Sequence, residues 1–250
     1  MYGVYKDSIL STDASHTISI ETKRGCPYSC SYCSYDTGNG RSRLIFDLVK
    51  VKREFDYLNK KVKKVNIIDP VFWTKNFDEI INHLIEIEFK PQLTVQSKFE
   101  LFSRVLNHDL MEKISKLDIV LEFGLQSMSE EVNGNVNRVL DLEMIKRILN
   151  TLKEYGVKCE LTIIRGLPGE TLVSYENMLQ VLSSLTISNI IVYPLSILSN
   201  TQLISQVEYF KLSTIKELGI MHAVKSYSYT SSDYLEMIEL EHKYNSMLTN

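Results

Sequence analysis

Several familiar features are missing from this chain of 250 residues. No apolar run approaches the ~20 residues needed to cross a bilayer, so no membrane association is expected. The opening MYGVYKDSILSTDASH lacks the basic, then apolar, then small-residue order of a secretory leader. Neither charge sign dominates: 28 Lys and Arg against 31 Asp and Glu leave a net charge of -3. Such a balance gives no global pull toward nucleic acid, which is not expected as a partner. Four cysteines are too few for a disulfide framework, and the five prolines and ten glycines form no linker, repeat or low-complexity tract. What remains, 44% hydrophobic and 24% charged residues, is the composition of an ordinary globular protein. The length fits one large domain, read as residues 17–250 after an N-terminal extension over 1–16, in the cytoplasm.

Short apolar or alternating runs recur along the chain: TISIE (17–21), VNII (65–68), LTVQ (93–96), IVLEF (119–123), CELTII (159–164) and NIIVY (189–193). Rich in Ile and Val and closed by polar or turn residues, they read as buried strands. Helical stripes lie between them. One takes in Ile45, Leu48, Val51, Phe55, Leu58 and Val62; the next Phe77, Ile80, Ile81, Leu84 and Ile85. A third runs through Leu142, Ile145, Leu149 and Leu152, with Asp141 as N-cap and Gly156 as stop, and a fourth through Tyr175, Met178, Val181, Leu182 and Leu185. A closing helix is read from Asp233 to about Leu248, on a stripe of Leu235, Ile238 and His242. Strand alternating with helix about six times predicts an α/β fold, a partial (β/α)6 barrel with about six parallel strands. Its chemistry should sit in loops leaving the C-terminal ends of strands.

Directly after the first run comes RGCPYSCSYC, with Cys26, Cys30 and Cys33 inside eight residues. Three thiolates on one loop suit a soft metal centre, either zinc or iron–sulfur. Structural zinc takes four ligands, and no His or fourth Cys stands at a finger-like spacing. A four-iron cluster held by three thiolates would keep one iron open for chemistry. Cys159, inside the fifth run, reads as a core residue.

The Cys-x3-Cys-x2-Cys motif after a first strand, with Tyr32 before the third cysteine, resembles the radical S-adenosylmethionine (SAM) superfamily. The stretches ETKRGCPYSCSYC, NIIDPVF, EFGLQSMSEEVNGNVNR and RGLPGET, and more weakly PLSILSNTQL, resemble the subgroup often fused to a cobalamin-binding domain. The resemblance spans roughly residues 17–245. It implies an enzyme with a [4Fe-4S] cluster on Cys26, Cys30 and Cys33, whose open iron is chelated by SAM. One electron from the cluster then cleaves SAM, and the resulting deoxyadenosyl radical abstracts hydrogen from substrate.

The same resemblance assigns SAM contacts residue by residue. Asp69, by carboxylate or backbone carbonyl, would meet the amino end of SAM. Gln126 and Ser127 would bond the ribose or the methionine carboxylate, and Arg138 would pair with that carboxylate. Adenine would lie on the turn of Gly166, Leu167, Pro168 and Gly169, against Ile164. Tyr32 joins this set by its place in the motif. Relatives carry an acidic residue where Thr162 stands, and Glu160 shares that strand face. Trp73, Tyr28, Tyr35 and Tyr193 could wall a substrate pocket or pack at its rim.

The resemblance implies a flavodoxin or ferredoxin as electron donor and a small molecule or peptide as substrate. Some sixteen residues before the first strand are too few for a cobalamin domain, which leaves three options: a stand-alone core, cobalamin from a partner, or a fragment of a longer parent. Two alternatives stay open: the catalytic half of a cobalamin-dependent methyltransferase, and a non-catalytic metal-binding or regulatory protein with a decayed core.

Overall fold

The computed structural model describes residues 16–35, 44–185 and 187–248. Its strands are β1 (Thr17–Ile20), β2 (Lys23–Arg24), β3 (Leu44–Ile45), β4 (Lys64–Ile67), β5 (Gln92–Ser97), β6 (Ile119–Gln126), β7 (Lys158–Arg165), β8 (Asn189–Pro194), β9 (Ser196–Ile197), β10 (Ser213–Glu217) and β11 (Ile220–Lys225). Its helices are α1 (Leu48–Leu58), α2 (Phe77–Glu86), α3 (Phe99–Val105), α4 (His108–Ile114), α5 (Glu130–Asn135), α6 (Leu142–Glu154), α7 (Leu172–Ser183) and α8 (Ser231–Leu248).

The six runs read as strands are the six strands of one parallel sheet, in the order β1-β4-β5-β6-β7-β8. Each new strand is laid beside the last, as successive βα units require. The described residues divide into two compact units, the first of 16–26, 44–123 and 144–159, the second of 27–35, 124–143, 160–185 and 187–248.

In the first unit, register pairs Val65 with Leu93, Ile67 with Val95 and Val95 with Leu121, an apolar row on one sheet face. The other face aligns Asn66 with Thr94 and Gln96 with Glu122. Parallel strands covered on both sides are normally apolar throughout. This alternation leaves one face polar, as the interior of an open barrel would be. Helices supply the apolar cover with Val51, Phe55 and Leu58 of α1, Ile80, Ile81 and Leu84 of α2, and Ile145, Ile148, Leu149 and Leu152 of α6. The third stripe stops as read: Gly156 has φ +65°, and Val157 N–H bonds Leu152 C=O at 2.9 Å. The first stripe is shorter than its periodicity indicates. Asp47 caps the helix by accepting from Lys50 N–H at 2.9 Å, while Ile45 pairs with Lys23 across β2 and β3.

The second unit adds a small antiparallel sheet, β10-β11-β9, which the sequence reading had not anticipated, and helices α5, α7 and α8. Its apolar cluster joins Val132, Val136, Ile164, Leu167, Leu195 and Leu203, with Tyr32 packed against it. The closing helix is present, but its buried face is one position away from the stripe read for it. Leu235 is 61% exposed, and Tyr234, Met237, Glu241 and Tyr244 face inward instead. The reason is electrostatic. Glu241 turns in to meet Arg165 of β7 and accepts from Tyr175 Oη at 2.7 Å. A purely apolar criterion cannot see a buried carboxylate.

Candidate active site

Beyond β1 the chain turns into β2, and Gly25 adopts φ +92° immediately before Cys26. Only glycine takes that conformation without strain. Cys26 is buried and ends the first unit's share of this loop; Cys30, buried, and Cys33, half-buried, belong to the second. None of the three is in a disulfide.

In the first unit Asp69 follows β4 and is fully buried. One carboxylate oxygen accepts from Thr22 N–H at 2.7 Å and the other from Thr22 Oγ1. Burial pushes its carboxyl above the usual range, and the Thr22 bonds and nearby Lys23 oppose that rise. Lys23 is itself buried: its Nζ donates to Phe72 C=O and lies 5.0 Å from the centre of the Phe72 ring. Desolvation lowers its pKa to about 8, against the pull of Asp69 and Glu79. The Asp69 side chain is thus committed to holding the start of the cysteine loop, which leaves the backbone carbonyl as its route to any ligand. Trp73 is core, wedged edge-on between Phe72 and Phe102.

In the second unit the segment after β6 braces the rest of that loop. Val136 C=O accepts from Ser31 N–H at 3.1 Å, and Asn137 Nδ2 donates to Ser29 C=O at 3.2 Å. Arg138 donates through Nη2 to Gly124 C=O at 2.6 Å and through Nη1 to Tyr32 Oη at 3.4 Å and Cys30 Sγ at 3.9 Å. This guanidinium, expected at a ligand carboxylate, is turned toward the cysteine loop. Burial raises the Tyr32 phenol well above its usual range, so it stays neutral.

Gln126 sits at φ +71°, a costly conformation for a non-glycine residue, and its amide folds over Gly124. A Cβ on Gly124 would lie 2.5 Å from Gln126 Nε2, the mobile end of that side chain, so a larger residue there would displace the amide. Ser127 is completely buried and donates to Glu170 Oε2 at 2.6 Å while accepting from Ser129 N–H at 3.1 Å. Its proton is spent, so it holds the strand end rather than offering a ligand a donor. Glu170 also takes the Ser174 hydroxyl, and burial raises its carboxyl. The sequence reading gave Glu170 no role. The Thr171 and Ser174 capping box beside it was the available signal.

The turn after β7 is as tight as expected, with Gly166 at φ +88° and Gly169 at φ +96°. One side of it is filled: a Cβ on Gly166 would meet Tyr229 Oη at 3.0 Å and Ala223 C=O at 3.2 Å. Pro168 C=O accepts from Asn135 Nδ2 at 3.0 Å. Ile164 and Leu167 join Tyr32 in one apolar cluster, so these three readings converge in the second unit. Thr162 is buried and Glu160 half-buried on the same strand face.

The profile of the radical SAM superfamily matches residues 20–182. The chain belongs to the radical SAM superfamily. Its members are enzymes. The ribosomal protein uS12 methylthiotransferase of Chlorobium phaeobacteroides is 22% identical over 191 residues, covering 72% of this chain and 44% of that protein. The anaerobic magnesium-protoporphyrin IX monomethyl ester cyclase of Rubrivivax gelatinosus is 27% identical over 158 residues, covering 61% of this chain and 28% of that protein. The chain therefore spans less than half the length of these relatives. Among solved structures, the radical SAM methyltransferase TsrM of Kitasatospora setae superposes with a TM-score of 0.71 at 15% identity, over 91% of this chain and 52% of that one. Coproporphyrinogen III oxidase of Escherichia coli gives 0.59 at 19% identity, over 93% and 53%. These likenesses show the partial-barrel fold.

The family implies an iron–sulfur cluster and SAM. Among the described residues, no group of three or more His, Cys, Asp or Glu is disposed to hold a metal ion. The three thiols outside disulfides on one loop have the donor chemistry that such a cluster takes, though the described geometry does not gather them into a metal-holding group.

Proposed function

We propose that this chain is a radical SAM enzyme that reductively cleaves SAM and abstracts hydrogen from a small-molecule or peptide substrate. The observation that carries the reading is Cys26, Cys30 and Cys33 at Cys-x3-Cys-x2-Cys spacing, directly after the first strand of a six-stranded parallel sheet. These three thiolates would hold a [4Fe-4S] cluster, which when bound supplies the electron that breaks a carbon–sulfur bond of SAM. The protein's own residues do the rest. Thr22 and Asp69 set the entry to the loop, and Arg138 and Asn137 brace its far half. Gln126 offers an amide at the end of β6, and the Ser127–Glu170 bond secures the segment that follows. The cluster of Tyr32, Ile164 and Leu167 supplies an apolar surface that excludes water from reactive species. A flavodoxin or ferredoxin would deliver the electron in a reducing, cytoplasmic setting.

A second reading is the catalytic half of a cobalamin-dependent methyltransferase, with cobalamin from a partner. It is favoured by the likeness in fold to TsrM, described with cobalamin and a [4Fe-4S] cluster bound. Anaerobic reconstitution tests the main reading. Wild-type chain should take up about four iron and release deoxyadenosine from SAM on reduction, and Cys30→Ala should lose both. Uptake of zinc alone, without SAM cleavage, would overturn it.

A further inference from the structure

Between the small antiparallel sheet and the start of α8 lies a cleft that no step of the proposed reaction uses. Its volume is about 610 Å³, within the range of small-molecule sites, and it lies wholly within the second unit. Lys211 and Ser213, at the entry to β10, form one part of its lining, and the segment from Lys225 to Thr230 forms another. Among the described residues, none of the cysteine loop lines it.

The charge of this lining is one-sided. Neither Lys211 nor Lys225 pairs with an acidic group among the described residues. Lys113 and Lys158, by contrast, sit on Asp78 and Asp109 and on Asp118. The one acid of the lining, Asp233, is turned to Thr230, accepting from its N–H at 2.7 Å and its Oγ1 at 2.8 Å. Two lysines against one carboxylate leave the cleft net positive. A hydroxyl pair adds donor capacity. Ser226, buried, and Ser228, half-buried, have their oxygens 2.8 Å apart. Ser226 Oγ accepts from Ser228 N–H at 3.1 Å, and Ser228 Oγ accepts from Gly169 N–H at 3.0 Å. One hydroxyl proton joins the two oxygens, and the other has no acceptor among the described groups.

We infer that this cleft binds a small molecule through a phosphate group. Two ammonium groups at separate positions suit a compact anion that carries about −1.5 to −2 charges near neutral pH and three strong acceptor oxygens. A carboxylate carries one charge in a plane, the shape a guanidinium fork matches, and no Arg lines the cleft. Binding here also bears on the turn after β7. Ser228 holds Gly169, and Tyr229 Oη donates to Gly166 C=O at 2.8 Å. A ligand that fixes residues 226–230 therefore fixes that turn as well. The inference is independent of the enzyme reading.

Calorimetric titration of the full chain with pyrophosphate tests it, with citrate as the carboxylate control. Wild type should bind pyrophosphate more tightly than citrate. Lys211→Gln and Lys225→Gln should each weaken pyrophosphate binding about tenfold, the effect of losing one hydrogen bond to a charged group. Lys216→Gln, on exposed β10 but outside the cleft, should bind as wild type does. Bound pyrophosphate should slow amide exchange at residues 226–230 and at Gly169. No measurable pyrophosphate binding, equal binding of citrate, or an affinity indifferent to both cleft lysines would overturn the inference. So would an equal loss in Lys216→Gln, or protection that spares 226–230 and Gly169. Each of those results would leave the enzyme assignment standing.

Discussion

Lys23, three residues before Cys26, and Asp69, bonded to Thr22, are ionisable groups taken out of water, and each carries a cost that its partners only partly offset. Thr22 satisfies both oxygens of Asp69. Replacing it with the isosteric Val would keep the shape and the backbone bond but strip one oxygen of its donor. We expect a loss of about 2 kcal/mol, read as a lower urea midpoint with an unchanged slope. Lys23 shares the sign of a paired carboxylate's pH dependence, because its folded pKa is also depressed, but in an alkaline window. Its folded pKa, about 8, lies below the ordinary value of 10.5, so between those limits the unfolded chain binds the proton more tightly. Stability from this group should be flat below pH 8 and rise from about pH 8 to about pH 10.5, by on the order of 3 kcal/mol. Thermal melts in that window should show the rise in wild type and not in Lys23→Met. Neither residue is marked in the sequence as buried. Nothing in TKRG marks its lysine as buried, because that depends on which aromatic ring and carbonyl the fold brings over it.

Elements show a similar division. The six sheet strands were legible because Ile- and Val-rich runs closed by turn residues leave few other options, and α2, α6 and α7 because their stripes are apolar throughout. Helices α3, α4 and α5 are short, of seven, seven and six residues, and too brief for a periodic pattern to stand out. Helix α8 was found but turned wrongly, since its inward face is built on Tyr234, Met237, Glu241 and Tyr244. The Arg165–Glu241 pair, with both side chains about nine-tenths buried, is what holds that face to β7. Glu241→Ala would leave the guanidinium buried without its counter-charge. We expect a cost of about 3 kcal/mol. Faster amide exchange confined to α8 would place the damage there; a uniform change across the sheet would contradict this account.

For the chain as one catalyst, the relevant contrast is between SAM cleavage and methyl transfer. The relatives include a methylthiotransferase more than twice as long as the matched portion, while the cysteine motif lies within the matched residues of this chain. Deoxyadenosine release should therefore proceed on the reconstituted chain without cobalamin, at a rate unchanged by adding it. A chain that releases no deoxyadenosine until cobalamin is supplied would favour the second reading over the first.

Composition, strand runs and the spacing of three cysteines were enough to specify the sheet and the family, because these depend on local pattern. Side-chain commitments were not visible at that level. Asp69 bonds Thr22, Ser127 gives its proton to Glu170, and Arg138 turns toward Cys30. Each partnership spans 43 or more positions along the chain. A hydrogen bond needs donor and acceptor within about 3 Å, and no one-dimensional pattern records which distant residues folding brings that close.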